Sequence, residues 1–283
     1  MKKSDLGYEI RKSHDEEPLP ANAYHTFAEL ANMGAGCAAK WQDATMEVIK
    51  RSADEYLDTV LPRKDEDDIS PINELGRAAF WYGVWSLYWQ IDDRVGIKDG
   101  IAKIAVPGAR IQRHLLSGLL GVPDRDRNLL FQLFSQDEPQ VRRHWRSCYF
   151  GAIASARVAR GFHEFEIYPH HATANVDISF NIDFLAPIED AAQHLLCIQI
   201  KNKGAIHPFC RIARWSNQDR GCQTIIHSIL KHFEEFTHSQ QRPCVPVVIV
   251  VGHGNETWDI KPPPSLIAGI RSVLEEIRTS PAR

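Results

Sequence analysis

Apolar positions recur at helical spacing through the first half of the chain and alternate through much of the second. From Ala21 to Leu61 the pattern predicts helix, with an interruption at Gly34–Gly36 and a stop at Pro62. "SPINEL" opens the next helix, with Ser70 as N-cap and Pro71 at the first helical position. The segment Ala78–Ile91 is apolar nearly all round, as expected of a helix at the centre of a bundle. Two more helices are predicted over Ala109–Leu120 and Asp124–Phe134. A long helix then begins at Pro139, with Arg142, Arg143, Arg146, Arg157 and Arg160 off its apolar stripe. Past Gly161 the period falls to two, and "FHEFEIYPHH", "NVDISFNIDFL" and "HLLCIQIKNK" each predict a strand. A polar loop containing Trp215 and an amphipathic helix over Gln223–Phe236 follow. The continuous apolar run Cys244–Gly252 predicts a strand covered on both faces, and Ser265–Arg278 a last helix. The chain thus divides into a mobile tail (1–20), an all-helical domain (21–135) and an α/β domain (139–283).

Composition adds little beyond exclusions. With 283 residues, 43% of them hydrophobic and seven Trp among them, the chain can bury a substantial core. No stretch reaches the roughly 18 uncharged apolar residues of a membrane span, and the charged N-terminus has no apolar signal core. Six Cys with no CxxC pair favour reduced thiols, and hence a cytoplasmic location, over a disulfide framework or a zinc ribbon. Net charge is −6 over residues 1–138 and +3 over 139–283, which admits a polyanionic ligand in the second half. Phosphate-cradling glycine motifs and a GxSxG elbow are missing, which argues against a nucleotide-driven motor and a serine hydrolase.

The candidate chemistry sits in the two alternating segments. Folding them as a hairpin about "APIEDAAQ" sets Asp177 opposite Lys201 and Ser179 opposite Gln199. One face then carries Asp177, Ser179, Asn181 and Asp183 beside Cys197, Gln199 and Lys201. The other carries Ile178, Phe180, Ile182 and Phe184 with Leu196, Ile198 and Ile200. Asp183, further along the polar face, is the second candidate acid, with Leu195 as its hairpin partner. An acid, an amide and an amine on a rigid platform suit a hard divalent cation, Mg²⁺ or Mn²⁺, and phosphodiester hydrolysis.

"NVDISF" followed by "CIQIKNK", within the order helix, three strands, helix, strand, resembles the PD-(D/E)XK nuclease superfamily. The resemblance covers about residues 139–278. It implies a restriction endonuclease-like αβββαβ core with a mixed sheet and a metal-dependent nuclease, foremost a DNA endonuclease of a defence, restriction or mobile-element system. It further implies Asp177 as metal ligand, Ile200 as a carbonyl ligand, Gln199 in the second-acid position and Lys201 as the catalytic lysine. A Glu near the first helix or strand is also implied, for which Glu166, then Glu164, is the candidate. Gln199 lacks the charge of the family's usual acid, and Glu166 or Asp183 would supply it.

Arg142, Arg143, Arg146, Lys203, Arg211 and Arg214 are the expected phosphate contacts, Trp215 a stacking residue, and His170 a further phosphate contact. The partner is nucleic acid, DNA ahead of RNA, with the helical half positioning substrate or assembling with a second copy or a partner protein. The alternative is an inactive descendant of the fold, a nucleic-acid-binding or protein-interaction module.

Overall fold

The computed structural model describes residues 8–10, 16–62, 70–92, 100–173, 176–177, 180, 182–190, 193–203, 208–214, 236–238, 240, 243–253 and 259–279. The chain is mixed α/β and forms two compact units, Ser13–Ile153 and Met1–Lys12 with Ala154–Arg283. No described helix is long and apolar enough to cross a membrane.

The first unit is helical. It contains α1 (Ala23–Lys40), α2 (Met46–Val60), α3 (Pro71–Asp92), α4 (Gly100–Leu119), α5 (Asp124–Phe131) and the start of α6 (Pro139–His163). As its apolar girth demands, α3 is central: Ala78, Ala79, Phe80, Trp81, Val84 and Trp85 are all buried. The expected break at Gly34–Gly36 does not occur, and α1 runs straight through it. Gly34 serves close packing instead, since a Cβ there would fall on the Phe80 carbonyl, and one on Gly83 would fall on that of Ala31. The α1–α2 break comes later, where the Thr45 side chain accepts a hydrogen bond from Val48 N at 3.5 Å.

The second unit is built on one six-stranded mixed sheet: β1 (Tyr8–Glu9), β2 (His170–His171), β3 (Phe184–Pro187), β4 (Leu195–Lys203), β5 (Pro208–Arg214) and β6 (Cys244–His253), in the order β1-β2-β3-β4-β6-β5. β4 pairs antiparallel with β3 and parallel with β6, while β5 pairs antiparallel with β6. Pro246 stands one residue before the β5–β6 ladder begins at Val247, where β6 has β4 alone as neighbour.

Four expectations for the second unit are corrected. The N-terminal tail contributes a strand, because Tyr8 and Glu9 pair with His171 and His170. The helix does not yield to a strand at Gly161; α6 continues to His163 and ends in a turn. There the Ile167 and Glu166 N–H groups donate to the Phe162 and His163 carbonyls at 3.2 and 3.1 Å, with Glu166 left-handed at φ 58°. Those two bonds form a Schellman cap, which satisfies the last helical carbonyls. The segment read as a strand from Asn175 is helical at Val176, Asp177 and Phe180, and the strand starts only at Phe184. Finally, part of the expected loop before Trp215 is the edge strand β5. The expected helix over Gln223–Phe236 lies outside the described residues except for Phe236.

Both sheet faces are covered. On one side, a Cβ on Gly269 of α7 (Pro264–Thr279) would meet Ile212 of β5 at 2.7 Å, so helix and strand are in close contact. Ile212 lies opposite Ile249, which lies opposite Ile200. On the other side Leu185, Leu195, Cys197, Val248 and Val250 form a cluster with Ala172, Ile182 and Phe236, and Val176 and Phe180 pack onto it.

Gly83→Ala should cost on the order of 3 kcal/mol, because neither backbone at the α1–α3 crossing can retreat from a methyl group. Gly36→Ala in the same helix, where a Cβ meets nothing within 4 Å, should instead stabilise by up to about 1 kcal/mol. Denaturant titration of the two variants checks both signs.

Candidate active site

β4 carries the site because it is apolar where its neighbours cover it and polar where the β3 ladder ends. That ladder pairs Phe184 with Ile198, Leu185 with Cys197 and Pro187 with Leu195. The register is shifted four residues from the expected hairpin, an even number that preserves the faces. It also brings Asp183, not Asp177 or Ser179, level with Gln199.

Asp183 is bound tightly there. Its Oδ2 accepts from Gln199 Nε2 at 2.6 Å and from Ile200 N at 2.5 Å, while its own N–H donates to the Ile198 carbonyl at 2.9 Å. Since Nε2 must face the carboxylate, the amide orientation of Gln199 is set by chemistry, and Oε1 is left buried without a hydrogen-bond partner among the described residues. The Ile198 carbonyl leaves β4 on the β3 side, and so does the Ile200 N–H. Strand alternation puts the Ile200 carbonyl on that side too, beyond the last ladder pair.

Asp177 reaches the cluster from a helical turn. Its N–H donates to the Thr173 carbonyl at 2.9 Å, and Val176 N to Thr173 Oγ1 at 3.4 Å. Thr173 is therefore an N-cap, the local signal that distinguishes this turn from a strand. Val176 and Phe180, four apart, supply its buried face. Burial raises the Asp177 carboxyl to about 6, against a pull downward from Lys201. Burial and the neighbouring Asp177 charge raise Asp183 to about 7, opposed by the Ile200 N–H, Lys201 and the Gln199 amide. Two acids, an ammonium, an amide oxygen and a backbone carbonyl thus converge.

The other expected residues are dispersed. Glu166 and Glu164 are exposed in the turn after α6 and make no contact with this cluster among the described residues. Glu166 takes its left-handed backbone from the helix cap. His170 is buried in β2 opposite Leu185, with Nε2 4.0 Å from Glu9 Oε2, so it is not presented at the surface. Arg142, Arg143 and Arg146 belong to the helical unit. Arg142 donates to the Ser135 carbonyl at 3.1 Å, Arg146 lies over the Phe131 ring at 5.0 Å, and Arg143 is exposed. Arg157, expected off the apolar stripe, is buried. Lys203 is in β4, and Arg211 and Arg214 are in β5; Arg211 lies opposite Val250, which lies opposite Lys201. Trp215 lies outside the described residues.

A hard cation needs oxygen donors and negative charge. Among the described residues no three His, Cys, Asp or Glu side chains gather as a metal-binding group. The cluster fits such a cation through a mixed set: two carboxylates, the orphaned Gln199 Oε1 and the Ile200 carbonyl. No protein-family model, curated protein or solved structure matches the chain.

Asp177 and Asp183 hold protons more tightly folded than unfolded. The folded chain therefore binds more protons from the ordinary carboxylate range up to about pH 7, and stability falls as pH rises through that window. Asp183→Asn should flatten the fall, with a midpoint temperature several degrees above wild type at alkaline pH and converging with it in acid. Thermal melts across pH check this. Glu166→Gly should stabilise by about 1 kcal/mol by relieving a left-handed side chain, measured by denaturant titration.

Proposed function

We propose that the α/β unit is a metal-dependent nuclease of the PD-(D/E)XK type, with a restriction endonuclease-like core, that hydrolyses phosphodiester bonds in nucleic acid, DNA ahead of RNA. The observation that carries this reading is the convergence of Asp183 at the head of β3, Gln199 and Lys201 two apart on β4, and Asp177. The order α6, β2, β3, β4 and then β6 and α7 supports it further, with β5 as an addition at the edge.

In this reading Asp183, Asp177, Gln199 Oε1 and the Ile200 carbonyl hold Mg²⁺ or Mn²⁺. Bound there, such an ion polarises a phosphoryl oxygen and acidifies a water. Lys201 places its ammonium beside the phosphate, where it offsets the charge that builds on the phosphoryl oxygens as the nucleophile arrives. The Gln199 amide holds Asp183 in one orientation and favours its ionised form. Ionisation of both acids makes the site competent, so activity rises with pH until both have titrated.

A binding module without cleavage is the second reading, favoured by one observation. Gln199 contributes no charge, and its Nε2 occupies a carboxylate oxygen that an acid at this position would leave open.

Purified protein with Mn²⁺ or Mg²⁺ should nick plasmid DNA or degrade single strands, with rates climbing toward about pH 7. Lys201→Ala should lower the rate at least about a hundredfold. Gln199→Glu should lower the Mn²⁺ concentration for half-maximal activity on the order of tenfold. Mn²⁺ should also raise the melting temperature of wild type and not of Asp183→Asn. If wild type and Lys201→Ala are equally inert on DNA and RNA, and Mn²⁺ shifts neither melt, the binding-module reading replaces the nuclease.

A further inference from the structure

The α/β unit holds a second candidate site on the other face of its sheet. A cavity of about 750 Å³ is lined by Arg157 of α6, by Asp259, Lys261 and the prolines 262–264, and by Ile267, Ala268 and Arg271 of α7. Helix α7 covers the face that carries Ile200 and Ile249, whereas Gln199 and Lys201 occupy the alternate positions. The cavity nonetheless opens near the end of the sheet that holds Lys201. Arg157 Nη1 donates to the Gly252 carbonyl at 3.2 Å, and Gly252 pairs with Lys203.

Its wall combines three chemistries. Arg157 is buried and further anchored by a 2.6 Å bond from Nε to the Asp259 carbonyl. Lys261 and Arg271 are exposed at the rim, and neither side chain has a hydrogen-bond or ion-pair partner among the described residues. Asp259 uses Oδ1 to accept from Lys261 N at 2.7 Å, and its Oδ2 has no hydrogen-bond or ion-pair partner among the described residues. The prolines, with Ile267 and Ala268, make a stiff apolar wall that offers no proline N–H to satisfy. Two uncommitted cations select an anion, a free carboxylate oxygen selects a hydroxyl, and a stiff apolar wall selects a flat apolar body.

We propose that this cavity binds a nucleoside phosphate. The phosphate sits on Lys261 and Arg271, a ribose hydroxyl donates to Asp259 Oδ2, and the base lies against the prolines and Ile267. The proposal goes beyond cleavage at Asp183 and does not rest on it. The same chemistry is presented by a free nucleotide and by the end of a polynucleotide strand.

Calorimetric titration of the full chain in EDTA, with adenosine 5′-monophosphate, inorganic phosphate and a short 5′-phosphorylated single-stranded oligonucleotide as probes, tests it. The nucleotide should bind with Kd below about 1 mM, at least about tenfold tighter than inorganic phosphate. Lys261→Ala/Arg271→Ala should weaken it at least about tenfold with an unchanged melting temperature, while Asp183→Asn should leave it intact. Tighter binding of the oligonucleotide identifies a strand end as the ligand, and equal or weaker binding a free nucleotide; either supports the site. Four results overturn it: binding of neither the nucleotide nor the oligonucleotide, nucleotide binding no tighter than phosphate, affinity that survives the double substitution, and affinity lost with Asp183→Asn.

Discussion

Burial on both faces of β4 is the constraint from which the rest of the α/β unit follows. A strand flanked by β3 and β6 and covered above and below cannot carry an unpaired amide or ammonium without a large desolvation cost. Gln199, which is buried, therefore needs a partner in the protein, and Lys201 is half-buried beside it. Asp183 meets the first directly and attracts the second, and Asp177 approaches from a helical turn that also delivers Val176 and Phe180 to the hydrophobic cluster. Packing and polar assembly are accomplished by the same few residues.

That economy leaves the site in tension. Two carboxylates share a largely desolvated site with one half-buried ammonium, so ionising both works against the fold, and the Gln199 amide offsets only part of the cost. The proposed cation would relieve that tension, because the charge that penalises the fold is the charge that would attract the ion. A purely structural ion pair would be arranged to relax it.

The helical unit solves a different problem. Its centre, α3, is so apolar that it must be surrounded, and close approach by α1 is possible only where Gly34 and Gly83 let backbone meet backbone. Gly34, which seems to punctuate a helix in sequence, is in three dimensions part of a contact surface with α3. Its arginines show the same shift in meaning, since Arg142 and Arg146 make contacts within their own unit.

Sequence alone determined the helical and alternating halves, the central helix, the fully covered strand Cys244–Gly252 and the Gln-x-Lys end of "LLCIQIKNK", because each follows from local periodicity. It also brought Asp177, Asp183, Gln199 and Lys201 into one candidate set. Tertiary structure decided which acid meets the amide. Val176, Phe180 and Phe184 satisfy a helical spacing of four as well as an alternation of two, and only the Thr173 cap and the hydrophobic cluster select between them. The four-residue shift in hairpin register, the left-handed Glu166 cap, the edge strand β5 and the union of Arg157 with Lys261 and Arg271 were likewise hidden. Each depends on partners distant in the chain or on backbone geometry that no hydropathy pattern encodes.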